Sequence, residues 1–533
     1  MTTLTGLPIE ILQSVLSSLP NRDIKNIRLV CRSLGNVASL RLHRVFLSPH
    51  PRDIHVFKAI AKHDVFRERV VEIIYDDARF PRDGQFAHDH FAFMFADEDV
   101  LAPKGVPDLY ARIYNEHVEG LKLCKGRFVE RPDHIAVAKQ LQSRMSALQS
   151  YRQYQKVVKE QEKVLSTLGD IKALEYGLKR FTNLKRITIT PVAHGLPFRP
   201  IYETPMIRNF PYGFIYPIPR CWPEAAEHDN WPIARSWDIE EERNKWRGAC
   251  ILLQTFAKHP HHVTELIIDV NQLLSGLSCR IFDAPNQEYE NFVSLLQAPN
   301  FSRLDLSLYV SGQEEEEWHA YRSGHLRYAL SQAKNLQHVS LATSLVIPNC
   351  VAKPQLHNTD GSEHFTPLRD IFPLDQWRHL RHFGLSRFIV TQDDLVEFLL
   401  EMPPTLRSVD LSFLCFLRHG GGDYRGLLGD IKTKLKWHER RDSERVRITI
   451  YIDLNPAGAG HSIDISRETE DFVYHNGSNP FTRSGNRISR SAGVGIQRYS
   501  FIPENDRPYV GHTALIEMGY YEEDDGYRRG WRY

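Results

Sequence analysis

The sequence predicts an α/β protein in which a small N-terminal module of three helices precedes an irregular solenoid of alternating helices and parallel strands. Two observations support this prediction. Within the first forty-six residues, apolar positions recur at helical spacing on three short segments. From about residue 169 onward, an amphipathic helical segment is followed several times by a turn residue and a short apolar strand. Because a helix between two strands permits parallel pairing, such units predict a sheet that grows by stacking.

The N-terminal module begins at Pro8, a residue that can open a helix without the loss of a hydrogen bond. Asn21 is placed to cap the second helix, and a third short segment continues toward Phe46. The apolar residues at helical spacing are Ile11, Leu12, Val15, Leu16 and Leu19 in the first helix, and Ile24, Ile27, Val30, Cys31 and Leu34 in the second. A chain of about 40 residues buries too little surface to be stable alone. The remaining apolar face therefore predicts docking to a partner protein.

These residues carry a family resemblance. The segments Leu7–Leu12, Val15-Leu16, Leu19-Pro20, Asp23-Ile24 and Ile27–Ser33 resemble the F-box motif over some forty residues. The resemblance implies docking on the Skp-type adaptor, and through it on cullin, in a ubiquitin ligase. It implies an adaptor-binding surface formed or supported by Leu7, Pro8, Ile11, Leu12, Val15, Leu16, Ile24, Leu29, Val30 and Cys31. Leu34 replaces the aromatic residue that many members have there. The alternative is a helical bundle packed against the rest of the chain.

The F-box module is assigned to residues 1–47, and residues 48–168 form a connecting region with one strand and a long helix. Val70 to Tyr75 is expected to be an isolated opening strand. Residues 134 to about 168 contain neither Gly nor Pro and carry a broad apolar stripe, which predicts one long amphipathic helix. Because the stripe departs from a strict heptad, packing within the domain is favoured over a partner-binding coiled coil.

Residues 169–453 contain the repeated unit. The strands are expected to begin near Leu184, Val263, Phe301, Leu336, Leu380, Leu406 and Val446. The clearest helix start is Thr391, a capping residue with Asp394 three positions on. From about 70 to 453 the chain resembles the irregular leucine-rich-repeat half of fungal-type F-box proteins. That resemblance implies a leucine-rich-repeat-like array with long insertions.

Two segments depart from the repeat. Residues 191–245 form a Pro- and aromatic-rich insertion, which either offers aromatic side chains to a substrate or buries them against its own domain. Residues 454–533 are a polar C-terminal tail that ends in the acidic run Glu522–Asp525, and part of the tail is expected to cap the strand Val446–Ile452.

Composition excludes several classes of function. Lys and Arg total 67 and Asp and Glu 66, so the net charge of +1 provides no global field for nucleic acid. No apolar run is long enough to span a membrane. The N-terminus has no basic residue before Arg22, which argues against a signal peptide. Seven widely spaced cysteines indicate reduced thiols, so we expect a cytoplasmic or nuclear protein that is not secreted.

Motifs for catalysis or cofactors are weak. The sequence contains no G-x-G-x-x-G, P-loop, G-x-S-x-G or H-E-x-x-H motif. His88-Asp-His90 and His259-Pro-His261-His262 lack companion ligands at suitable spacing, and Gly420-Gly-Gly422 lacks the lysine of a phosphate loop. We therefore expect no metal, no cofactor and no enzymatic activity.

The sequence favours a substrate-receptor subunit of an SCF-type ubiquitin ligase, with an unknown protein substrate bound by the array. An interaction scaffold that uses the F-box outside a ligase has the same sequence features. An α/β enzyme is the third hypothesis, and it would require a deep polar pocket at the ends of the parallel strands.

Overall fold

The structure is a computed structural model that describes residues 4–19, 21–82, 102–127, 139–225, 233–313, 316–346, 362–417, 420–453, 460–481, 495–503 and 506–509. Its N-terminal helices lead into parallel strands that alternate with helices, which confirms the predicted mixed α/β class and is consistent with a repeat solenoid. The α-helices are α1 (Ile9–Ser17), α2 (Asn21–Val30), α3 (Arg32–Val37), α4 (Pro51–Lys62), α5 (Asp64–Arg67), α6 (Asp108–Arg127), α7 (Ala147–Thr167), α8 (Gly169–Leu178), α9 (Pro205–Arg208), α10 (Glu240–Lys245), α11 (Arg247–Lys258), α12 (Gln287–Leu296), α13 (His319–Arg322), α14 (His325–Ser331), α15 (Leu368–Ile371), α16 (Gln392–Leu400), α17 (Tyr424–Lys434) and α18 (Ser466–Tyr474).

One parallel sheet runs through most of the described chain. Its strands are β1 (Arg44–Leu47), β2 (Glu72–Asp76), β3 (Arg186–Thr190), β4 (Glu265–Ile268), β5 (Leu277–Ser278), β6 (Arg303–Tyr309), β7 (His338–Thr343), β8 (His382–Ser386), β10 (Ser408–Asp410) and β12 (Arg447–Thr449). They lie side by side in chain order, except that β5 pairs only with the end of β6. The short strands β9 (Ile389–Val390) and β11 (Cys415–Phe416) form a separate parallel pair.

A single apolar row crosses this sheet and explains its continuity. Each strand places one side chain of the row in direct register with the next: Val45, Ile73, Ile187, Leu266, Leu304, Val339, Phe383, Val409 and Ile448. All nine side chains are at most 2% exposed. Apart from Val45, for which the sequence predicts no strand, each lies two or three residues beyond a predicted strand start, so the expected strand series from Val70 onward is confirmed. The row belongs to the main hydrophobic core, together with the inward faces of the array helices.

The opposite face of the sheet is polar and partly exposed from β4 onward. On its first strands, charges of opposite sign are neighbours. Arg44 pairs with Glu72 at 2.6 Å and Arg186 pairs with Glu265 at 2.6 Å. Opposite charges on adjacent strands stabilise their pairing. The helices of the array cover the apolar face of the sheet, and the polar face lies on the side of the sheet away from them.

The prediction of one long helix over residues 134–168 is wrong in its extent. The helix α7 begins at Ala147, and residues 143–146 interrupt it after a helical turn at 139–142. Ser146 caps α7, because its side chain accepts a hydrogen bond from the Gln149 amide while the Gln149 side chain accepts one from the Ser146 amide. The Met145 amide donates to the Gly213 carbonyl at 2.9 Å. The break therefore arises from a capping box and from a contact with the distant insertion.

The expectation of an isolated opening strand is also wrong. The strand β2 pairs with β1 on one side and with β3 on the other, so β1 is the opening strand. The predicted helical module of residues 1–47 includes this strand, so its last residues, among them Val45 and Leu47, belong to the array instead. Both side chains are buried in the core of the array.

The described Phe, Tyr and Trp side chains of the insertion 191–245, except Tyr212, are buried or partly buried. Phe214 and Tyr216 join a second core with α6 and α7, and the Trp222 indole nitrogen donates to Asp77 at 2.8 Å. Tyr202 donates its hydroxyl to Asp269 at 2.6 Å, while Tyr212 remains 61% exposed. Of the two alternatives that the sequence left open, burial against its own domain therefore describes this segment better.

Part of the C-terminal tail covers the last strand of the array. The Tyr474 hydroxyl donates to the Val446 carbonyl at 2.6 Å, and Glu470 accepts from the Ile448 amide at 3.3 Å. Ser466 accepts from the Ile450 amide at 3.2 Å. These bonds satisfy backbone groups that an edge strand leaves unpaired. The tail also adds three strands to an antiparallel sheet that starts at β13 (Tyr451–Asp453). They are β14 (His461–Asp464), β15 (Ile496–Tyr499) and β16 (Arg507–Pro508). The acidic run Glu522–Asp525 lies outside the described residues.

The substitution Gly177→Ala tests how closely α4 and α8 approach. A β-carbon at Gly177 would lie 2.4 Å from the ring of Phe57, which is fully buried, so we expect a loss of about 1–3 kcal/mol in the free energy of unfolding. The matched control is Gly429→Ala in α17, where nothing lies within 4 Å and helix propensity predicts a small gain. Thermal denaturation of both variants measures the contrast, and an equal or higher midpoint for Gly177→Ala would contradict the close packing.

Candidate functional site

The helices α1 to α3 enclose a small core of their own. Leu12, Leu16 and Ile24 are at most 5% exposed and pack with Leu34 and Ala38, and no residue of the main core belongs to this cluster. Leu7 and Leu19 pack partly against it. These buried residues hold the three helices together, so they support the outer surface and do not form it.

Other apolar side chains of the same helices face solvent. Leu29 is 86% and Val30 71% exposed at the end of α2, and Ile11 and Val15 are 51% and 41% exposed. Ile11 and Val15 are four residues apart in α1, so they share one face of that helix. We call Ile11, Val15, Leu29 and Val30 the outer apolar surface. Pro8 and Cys31 are also exposed.

The extended backbone at Cys31 sets the end of α2. Cys31 has an extended backbone, with φ of −159° and ψ of 163°, and α3 begins at the next residue. The helix α2 therefore ends at Val30. Leu29 and Val30 lie in its last turn, where no further turn of the same helix covers them.

Polar contacts connect the module to the array through residues 38–43. Asn21 donates to the Arg41 carbonyl at 2.7 Å and accepts from the Arg41 amide at 2.8 Å. The expectation that Asn21 caps α2 is thus wrong for its side chain, which binds the following connection instead. Arg69 donates to the Leu40 carbonyl at 3.0 Å. The described contacts leave the outer apolar surface uncovered by the array.

The ten residues predicted for adaptor binding divide into two groups. The structure places Pro8, Ile11, Val15, Leu29, Val30 and Cys31 at the surface, and it places Leu12, Leu16 and Ile24 in the interior, with Leu7 partly buried. Leu4 and Ile9 were not predicted, although they are 41% and 52% exposed. Their apolar character and their position beside Leu7 and Pro8 could have indicated them.

A helical module with an uncovered apolar surface, joined to a parallel α/β array, defines a protein whose N-terminus is built for protein interaction. Comparison with family models gives the more specific assignment: residues 4–44 match the F-box domain. The chain therefore carries an F-box domain at its N-terminal helices. A search of curated proteins found no match. Within the described residues, no helix is both long and apolar enough to cross a membrane.

A second group of polar residues lies at the carboxyl ends of β1 to β3. His194 Nε2 is 3.8 Å from Asp76 Oδ2, and both side chains are fully buried. Burial lowers the pKa of His194 to about 3 and raises the pKa of Asp76, so each neutral form is favoured. Asp53 accepts hydrogen bonds from Ser48 and from the Met206 amide, and burial raises its pKa to about 6. These groups are sealed beneath the insertion, where they join segments of the chain.

The other candidate ligand sites have structural partners. His261 accepts a hydrogen bond from the Val263 amide at 3.2 Å, and His259 lies 3.5 Å from Glu175. The helix that follows Gly420-Gly-Gly422 is capped by Asp423, whose carboxylate accepts from the Gly426 amide at 2.7 Å. A carboxylate at this helix start occupies the place that a phosphate would need. His88-Asp-His90 lies outside the described residues. In the part of the chain that the structure describes, no group of three His, Cys, Asp or Glu residues is arranged to hold a metal.

Proposed function

We propose that this protein is the substrate-receptor subunit of an SCF-type cullin-RING ubiquitin ligase. The F-box helices dock on the Skp-type adaptor, which connects them to cullin, and the parallel array holds a protein substrate near the ubiquitin-charged enzyme. A receptor of this kind contributes proximity, because it raises the local concentration of the substrate at the reacting enzyme.

The observation that supports the proposal is the outer apolar surface. Complete burial of one such side chain contributes about 1.5–3 kcal/mol. Because the four side chains are partly covered in the free chain, each contributes a part of that value, which offsets some of the entropy lost on association. Four exposed apolar side chains on one three-helix module favour a protein interface. The F-box match supplies the kind of partner, because F-box domains typically bind Skp-type adaptors.

The experiment is affinity purification of the tagged full chain from eukaryotic cells, with and without proteasome inhibition. We expect the adaptor and cullin to co-elute in both samples, and ubiquitin conjugates to accumulate in the inhibited one. Recovery of the adaptor without cullin would contradict the ligase role and favour an interaction scaffold. Recovery of neither protein would contradict docking itself.

A further inference from the structure

Five arginines gather at the amino-terminal edge of the last three array strands. We call Arg378, Arg381, Arg407, Arg440 and Arg447 the arginine edge. Arg378, Arg381 and Arg447 are exposed, and Arg407 and Arg440 are partly exposed. In the described chain, none of the five lies within 4.0 Å of a carboxylate, although ion pairs of that length are numerous elsewhere.

Backbone pairing brings these residues together. The Arg407 amide donates to the Arg381 carbonyl at 2.8 Å, and the Arg447 amide donates to the Arg407 carbonyl at 2.9 Å. Neighbouring parallel strands are about 4.8 Å apart. Arg381 and Arg407 are thus neighbours at the start of adjacent strands, and Arg447 lies one residue further along the next strand, opposite Ser408.

Two of the guanidinium groups converge on one atom. Arg407 Nη1 donates to the Leu406 carbonyl at 2.9 Å, and Arg440 Nη1 donates to the same oxygen at 3.0 Å. Burial and the nearby charge of Arg407 lower the pKa of Arg440. Two like charges held this close repel one another, and a bound anion would relieve that repulsion. Arg407 Nη1 also donates to the Pro404 carbonyl at 2.8 Å, and since each guanidinium carries five N–H donors, several remain for a ligand.

The start of the sheet provides an internal comparison. There, strand-initial arginines have carboxylate partners, as in Arg44 with Glu72 and Arg186 with Glu265. At the arginine edge, the nearby carboxylates are engaged by other cations. Glu444 pairs with Arg441 at 2.8 Å and Asp442 pairs with Arg445 at 2.8 Å. Glu439 is exposed but lies beyond ion-pair distance of the five arginines. Positive charge is therefore in excess at the start of the last three strands.

We propose that the arginine edge binds an acidic segment of a partner protein, a run of Asp or Glu side chains. Charge complementarity selects this occupant, because five cations spread over three strands match several carboxylates in a row. Bidentate pairing between guanidinium and carboxylate favours arginine over lysine for this task. The edge lies at the opposite end of the sheet from β1 and the F-box helices, so the adaptor is not its occupant. The identification of this partner as the substrate rests on the proposed function.

The test is fluorescence anisotropy of the purified full chain, without adaptor, using a labelled octaglutamate peptide and its octaglutamine counterpart. We expect saturable, salt-sensitive binding of octaglutamate only, weakened at least about tenfold by the double variant Arg407→Gln/Arg440→Gln. The matched control is Arg369→Gln. It removes an exposed arginine of α15 that pairs with Glu401, and it should change the affinity by less than about twofold. Thermal denaturation verifies that each variant is folded.

Three results would overturn the proposal. The first is equal binding of the two peptides, and the second is octaglutamate binding that is unchanged in the double variant. The third is binding of a mixed-sequence single-stranded oligonucleotide, or of a phosphoserine peptide, that is tighter than binding of octaglutamate. Adaptor capture by the same double variant, measured in parallel, should equal that of the unaltered chain. A failed peptide assay with intact adaptor capture therefore rejects the arginine edge and leaves the proposed function standing.

Discussion

Replacement of Ile11, Val15, Leu29 and Val30 by aspartate is expected to abolish capture of the Skp-type adaptor. These side chains are exposed in the free chain, so the substitutions leave the module core of Leu12, Leu16 and Ile24 intact. In the complex, four charges would replace apolar contacts and would be buried without partners. Truncation of one central interface residue can cost about 2 kcal/mol or more, so the combined variant should bind at least about 1,000-fold more weakly. Titration calorimetry of the full chain with purified adaptor measures the loss.

The control for this variant is Leu400→Asp. Leu400 is 53% exposed at the end of α16 in the array, so the substitution also places a charge on an exposed leucine, away from the module. It should leave adaptor affinity within about twofold, because it removes no interface contact. Adaptor affinity that survives the fourfold variant, or that falls equally in the control, would contradict the assignment of the outer apolar surface. Substitution of Leu12 and Leu16 is less informative, because both support the core.

Replacement of Phe383 by alanine is expected to have the largest effect on the stability of the array. Phe383 is fully buried in the apolar row, in register between Val339 and Val409. Its ring also packs 5.2 Å from those of Phe372 and Phe398, which lie on the covering side. The lost contacts and the cavity should reduce the free energy of unfolding by about 3–5 kcal/mol. Thermal denaturation followed by circular dichroism measures the change.

The matched control is Tyr328→Ala on α14, an aromatic residue that is 55% exposed. Its removal should change the free energy of unfolding by less than about 0.5 kcal/mol, because it deletes few buried contacts. Similar melting curves for Phe383→Ala and Tyr328→Ala would contradict the burial of Phe383 in the apolar row.

The regular part of the fold could be predicted because its signal is local. The apolar alternation at Leu304 and Leu306 or at Val339 and Leu341 defines which strand face is buried, and a preceding amphipathic helix distinguishes it from chance alternation. Thr391 also behaves as expected, since its hydroxyl accepts from the Asp394 amide.

The errors come from contacts distant in sequence. The break before α7 combines a local signal, the Ser146–Gln149 capping box, with a contact to the Gly213 carbonyl some seventy positions away, and β1 forms a strand through its pairing with β2. Asn21 looks like a helix cap in isolation, yet its side chain binds Arg41. Tertiary contacts of this kind override local propensity, and the sequence contains no local trace of them.

The candidate site was predictable as a set of residues but not as a surface. Helical spacing marks Leu12 and Val15 as equally apolar, and only the packing of three helices determines that the first is 4% and the second 41% exposed. The arginine edge could not be predicted, because its residues come from four separate segments. Their lack of carboxylate partners becomes visible only when the strands are aligned.

Amide hydrogen exchange of the full chain, with and without purified adaptor, tests the central claim most directly. The free chain exposes the outer apolar surface, so binding should slow exchange in Ile9–Ser17 and Asn21–Val37 and leave the array strands unchanged. That pattern would place the adaptor on the F-box helices. Slowed exchange that is confined to the array, or no change at all at saturating adaptor, would contradict the account.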